Sequence, residues 1–171
     1  MAGLDEEYVR DIDRAVENAR AEGRFDLAEY FELRATNDAV REKGVVWLFD
    51  TLGEIVEAFN SHGARIEIDK QSDHRFKFGN SRLSGSAISL RKGVRKLTLE
   101  AGWTKSTGDG IMVGGALVCA RISHFGFSKQ AEELLLLKID GVPQWFSRTG
   151  ERELSTFNVR SFKPHFETFL G

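Results

Sequence analysis

The chain has 171 residues, 41% of them apolar, and a formal net charge of −2, enough to bury a core without disulfides or a structural metal. Its strictly apolar runs, such as Leu134 to Leu137, fall far short of the roughly 20 residues a membrane-spanning helix needs, and the acidic N-terminal stretch lacks the basic-then-apolar order of a signal peptide; the expectation is a cytoplasmic protein with no membrane insertion. Cys119 is the only cysteine, which excludes an intramolecular disulfide and a multi-thiolate metal centre, and its apolar neighbours mark it as a small buried hydrophobe.

Residues 1–171 are expected to form a single domain, helical over 1–62 and sheet-forming over 63–171, because no linker-like, repetitive or low-complexity tract interrupts them. Asp5 is placed to cap a first helix in which Val9, Ile12, Val16 and Ala19 recur at three- and four-residue spacing, with Leu4 positioned to staple onto Val9 and Gly23 to end it. Asp26, with Glu29 three residues later and the Phe25/Tyr30 pair, carries a capping box and a hydrophobic staple and predicts a second helix running toward Lys43. After Gly44, the residues Val45, Leu48, Phe49, Leu52, Ile55, Val56 and Phe59 form a wide apolar stripe, suited to lying on a sheet, that stops at Asn60–Gly63 with Gly63 as the residue after the C-cap.

From Ala64 the apolar period changes to 2. Ile66 and Ile68 alternate with Arg65 and Glu67, then Phe76 and Phe78 with Arg75 and Lys77, which places Arg75 and Lys77 on the face opposite the two phenylalanines. Further strands are predicted near 86–91, 96–103, 115–125, 133–139, 143–148 and 154–159, followed by a short helix from Phe162 to Leu170. Asp140–Gly141 is a strong two-residue hairpin turn, and Thr149–Gly150 a second candidate that would set Arg148 opposite Glu151. No helix-length pattern separates these strands, so the fold class is α+β: N-terminal helices, then a mostly antiparallel meander of six to eight strands packed on a helix, then a short C-terminal helix.

The near-neutral total conceals two regions of opposite sign. Residues 1–60 hold 7 Lys+Arg against 15 Asp+Glu, a net of −8, whereas residues 61–105 hold 10 against 4, a net of +6. Such asymmetry points to a charged partner more sharply than the overall charge does, although acidic helices lying beside basic strands would also neutralise them internally. Within the basic segment Arg91, Lys92, Arg95 and Lys96 crowd one hairpin tip. A loop over Lys92–Arg95 sets Leu90 against Leu97 and Ile88 against Leu99 but opposes Arg91 to Lys96; a tighter Lys92–Gly93 loop relieves the charges and spoils the apolar register. The tip is either a solubilising hairpin end or, with Arg75, Lys77, Arg82 and Lys105, part of an anion-binding surface for nucleic acid or a phosphate-bearing ligand. Phe76, Phe78 and Trp103 fit the core alternation, which leaves base-stacking recognition unsupported.

Catalytic patterns are absent. The four histidines have no zinc-ligand spacing, so no metal or cofactor is expected; the glycine-rich WTKSTGDGIMVGG segment fits no phosphate-loop order and reads as a hairpin loop. His124, beside Ser123, is the residue to consider as a general base if the protein is an enzyme with a ligand pocket. The leading expectation is a non-enzymatic binding or regulatory domain that engages an anionic partner through residues 65–105. Its rival is a protein-interaction or homodimerisation module using the acidic helices 5–43, and a sheet curled around the Val45–Phe59 helix would add an apolar pocket for a lipid-like ligand.

Overall fold

The computed structural model describes residues 2–21, 25–150 and 153–171. The caps and staples expected of Leu4, Asp5, Val9, Asp26, Glu29 and the Phe25/Tyr30 pair rest on side chains outside those the structure describes, and Gly23 and Glu151 lie outside the described residues. The chain divides into two compact units, Met1–Glu42 and Lys43–Gly171. In the first, helix α1 (Ala2–Ala21) buries Ile12 and Val16, two members of its apolar period. Helix α2 (Phe25–Ser61) begins there and continues into the second unit.

The sequence predicts a helix break at Gly44; α2 runs through it without interruption. The glycine serves packing instead. A Cβ there would stand 2.5 Å from a methyl of Leu136, and the Gly44 carbonyl accepts a 3.1 Å hydrogen bond from the Trp145 indole nitrogen. A side chain at 44 would therefore have to displace the Leu136 methyls. Beyond it Leu48, Leu52 and Val56 are fully buried, as the stripe requires. The helix ends as the sequence indicates: Gly63 adopts φ 88°, its N–H donates to the Asn60 carbonyl and the Ala64 N–H to the Phe59 carbonyl, the paired bonds of a Schellman ending. The Asn60 amide then pairs with both backbone groups of Ile66 and so fixes the start of the sheet.

Seven strands follow in one antiparallel sheet whose spatial order is the chain order: β1 (Glu67–Phe78), β2 (Ser81–Lys92), β3 (Arg95–Trp103), β4 (Val118–His124), β5 (Glu132–Ile139), β6 (Val142–Thr149) and β7 (Glu153–Thr156). Helix α3 (Lys163–Leu170) closes the chain. Asp140 and Gly141, both at positive φ, make the expected two-residue turn with Ile139 opposite Val142. The β6–β7 connection departs from expectation: Arg148 lies opposite Leu154 and ion-pairs with Glu133 on β5 at 2.7 Å.

Two irregularities curl the sheet. An extra residue between Gln71 and His74 reverses the phase of β1 relative to β2, so that Ile68 and Phe76 lie on opposite faces. Gly85 and Gly102 then face each other across β2 and β3, where a side chain on either would overlap the partner strand's backbone. Beyond these points the end of the β1–β2 hairpin folds across the sheet. Phe78 is fully buried with Leu83, Ala116, Cys119 and Leu135, and the guanidinium carbons of Arg121 on β4 and Arg148 on β6 lie 5.1 and 5.8 Å from its ring centre. Burial pushes the Cys119 thiol up to about 12, consistent with a packing role.

Candidate anion-binding pocket

The structure divides the eight cations singled out from the sequence into two groups of four. Arg91, Lys92, Arg95 and Lys96 flank the Gly93–Val94 turn, in the register that opposes Leu90 to Leu97 and Ile88 to Leu99. Apolar pairing overrides charge repulsion there, since a buried leucine is worth about 2 kcal/mol and a solvated like-charge pair costs a few tenths. Arg95 also has a structural duty, donating to the Thr168 carbonyl at 2.9 Å in the last turn of α3, where a cation complements the helix dipole.

The other four converge at the opposite end of β2. Arg75 and Lys77 leave β1 on the face away from Phe76 and Phe78, opposite Ser84 and Arg82 respectively, and Ser84 in turn faces Trp103 on β3. The Lys105 ammonium sits 3.5 Å from the Trp103 ring centre. Arg75, Lys77, Arg82 and Lys105 line an open pocket of about 730 Å³, joined by the hydroxyl residues Ser84 and Ser106, the apolar Phe76 and Leu83, and the carboxylates Asp73 and Asp109. That volume lies within the range of about 300–1,000 Å³ typical of small-molecule sites.

The wall opposite the hairpin comes from the glycine-rich segment between β3 and β4. Two short 3₁₀ turns, Thr107–Asp109 and Val113–Gly115, shape it. Asp109 accepts hydrogen bonds from the backbone N–H groups of Lys105 and Ser106, each 3.1 Å, while Ser81 donates to the Ile111 carbonyl at 2.6 Å. Met112 and Val113 pack against the Phe78 cluster. The segment is thus pinned at both ends. The Lys105 amide holds the Asp109 carboxyl below the usual carboxylate range, with lowering contributions from Ser106 and the charge of Arg75, so Asp109 remains ionised and offsets part of the local positive charge.

Charge pairing distinguishes the pocket from the other face of the sheet. There Glu100 takes both His74 at 2.9 Å and Arg121 at 3.3 Å, and Glu133 takes Arg148. Among the described residues, Arg75, Lys77 and Arg82 make no ion pair within 4.0 Å. Lys77 and Arg82 stand directly opposite each other, an arrangement unfavourable by a few tenths of a kcal/mol unless an anion lies between them.

His124 is buried, and its Nε2 lies 2.9 Å from Nδ1 of His165 on α3 in a nearly parallel ring stack. If His124 donates across this contact, neutral His165 carries its proton on Nε2, which lies 3.5 Å from Glu132 Oε1; Glu132 Oε2 is buried with no hydrogen-bond partner among the described residues. The sequence gives no signal for this chain, whose histidines are 41 residues apart. It has a pH consequence. Burial, aided by repulsion from His165, holds the His124 imidazole below its ordinary 6.5. The unfolded chain therefore takes up that proton first, so the stabilisation is complete above the unfolded value and is lost as pH falls through the folded one. The melting temperature is expected to decline on the acid side of pH 6.5, and His124→Gln to flatten that decline; an identical profile in the variant would assign the acid sensitivity to other groups.

An apolar groove of about 610 Å³ also runs between α2 and α3, lined by Ile55, Phe59, Phe162, Phe166 and Leu170. No cluster of three or more His, Cys, Asp or Glu among the described residues is arranged to hold a metal ion, and no helix of the described residues is long and apolar enough to cross a membrane. Comparison with protein-family models, with curated proteins and with solved structures finds no match to this chain.

Proposed function

We propose that the protein binds a small phosphate-bearing ligand in the pocket between the β1–β2 hairpin and the β3–β4 segment. The observation that carries this reading is the placement around one concave surface, beside two hydroxyl residues, of three cations that make no ion pair among the described residues. Arginine guanidinium groups offer paired donors that match phosphate oxygens, and a dianion between Lys77 and Arg82 would turn a repulsive pair into a chelate. The compact pocket suits a mononucleotide or pyrophosphate-sized group better than an extended strand, which gains most from a continuous groove with stacking aromatics.

Titration of the purified protein with inorganic phosphate, pyrophosphate and ATP, at low and physiological salt, tests it. Saturable, salt-sensitive binding is expected, weakened roughly 100-fold by Arg75→Glu combined with Arg82→Glu, as loss of two charged hydrogen-bonding groups implies. The pair Arg91→Glu and Lys92→Glu, at the far end of β2, should leave it unchanged. Equal affinity in the pocket variant, or no binding by the unaltered protein at low salt, would end the reading.

A further inference from the structure

We propose that the sheet end formed by the β2–β3 turn and the β4–β5 loop docks on an anionic lipid bilayer, with Val94, Phe125 and Phe127 entering the headgroup region. The two loops are neighbours: the Phe125 N–H donates to the Lys96 carbonyl at 3.0 Å, just past the last β3–β4 pair, Leu97 with His124. Gly93 and Gly126 take positive φ at the two turns, and the Phe127 N–H closes the second by donating to the His124 carbonyl at 3.0 Å. The result leaves Val94 92% exposed, Phe125 76% and Phe127 52%. Single exposed apolar residues are ordinary on a protein surface; three at the tips of adjacent loops are not explained by folding, since each would gain from leaving water.

Cations surround them. Lys92 and Arg95 form the cross-strand pair that flanks Val94, Arg91 and Lys96 the next, and Lys129 lies in the 3₁₀ turn Ser128–Gln130 that follows Phe127. Arg95 is engaged by α3 and Glu67 is the register partner of Arg91, while Arg91, Lys92, Lys96 and Lys129 make no ion pair within 4.0 Å among the described residues. A nucleic-acid backbone would reward the cations but not the apolar tips. An anionic bilayer rewards both, offering negative charge at the plane of the cations and an apolar boundary a few ångströms deeper. Such docking needs no spanning helix.

Flotation of the full chain with phosphatidylcholine vesicles carrying phosphatidylserine at roughly one lipid in three, beside pure phosphatidylcholine vesicles, tests the proposal. Binding is expected only to the anionic vesicles. The triple variant Val94→Ser, Phe125→Ser, Phe127→Ser keeps every charge and should bind about tenfold or more weakly; Arg91→Glu with Lys92→Glu should bind roughly 100-fold more weakly. The pocket pair Arg75→Glu and Arg82→Glu should bind vesicles normally, which separates this site from the phosphate pocket. Absence of binding to anionic vesicles, loss of binding in the pocket pair, or full binding by the triple serine variant would overturn the proposal, the last by reducing the tip to a general polyanion or acidic-protein surface.

Discussion

Gly85→Ala is expected to lower the free energy of unfolding by roughly 3 kcal/mol, at or beyond the upper end of ordinary overpacking. An added methyl at position 85 would overlap the Ala101 carbonyl oxygen and stand 2.6 Å from the Gly102 Cα. These are backbone atoms of the paired strand and cannot rotate away as a side chain does, so β2 and β3 would have to part where the ladder turns over the sheet. Gly102→Ala meets the Ser84 carbonyl oxygen at 2.6 Å and should err in the same direction. Gly53→Ala supplies the opposite sign. Nothing lies within 4 Å of its added Cβ in the interior of α2, so a gain of about 0.5–1 kcal/mol is expected from helix propensity. Urea or guanidinium denaturation of the three variants measures all of these; a Gly85→Ala midpoint equal to that of the unaltered protein would mean the strands are not held so close.

Phe78→Ala is expected to cost about 3–5 kcal/mol and to weaken phosphate binding in parallel. The ring is fully buried at the end of β1, and Arg121, whose guanidinium faces it, donates a 3.1 Å hydrogen bond to the carbonyl of Lys77. Ring, guanidinium and carbonyl together fix the strand end that carries Arg75 and Lys77 into the pocket. Removal leaves a cavity between Leu83, Cys119 and Leu135 and releases that end. Phe78→Leu, which refills most of the volume, should recover much of both losses. Denaturation midpoints and pyrophosphate titration of the two variants decide this. A destabilised Phe78→Ala that binds with undiminished affinity would show that the pocket is organised from the β3–β4 segment instead.

What the sequence determined by itself is what short-range physics determines. The change of apolar period at Ala64, the Asp140–Gly141 turn, the Gly63 helix ending and the absence of crossover helices specify α+β and an antiparallel meander, because each is settled within a few residues. The β2–β3 register stood between two pairings in the sequence, and the structure takes the one that buries Leu90 and Leu97 and opposes Arg91 to Lys96. Tertiary structure alone decided the rest. Gly44 looks like a helix breaker until Leu136 and Trp145 arrive against it. The extra residue in β1 has no local signature, yet it sets which face Phe76 takes. His124 and His165 meet only because α3 returns to the sheet. The basic segment from Arg65 to Lys105 reads as one feature along the chain, but a strand keeps its residues about 3.3 Å apart. Arg82 and Arg91, at opposite ends of β2, are therefore separated by about 30 Å of strand, and one apparent cluster becomes two surfaces: a concave one bounded by the folded-over hairpin, and a loop end tipped with valine and phenylalanine.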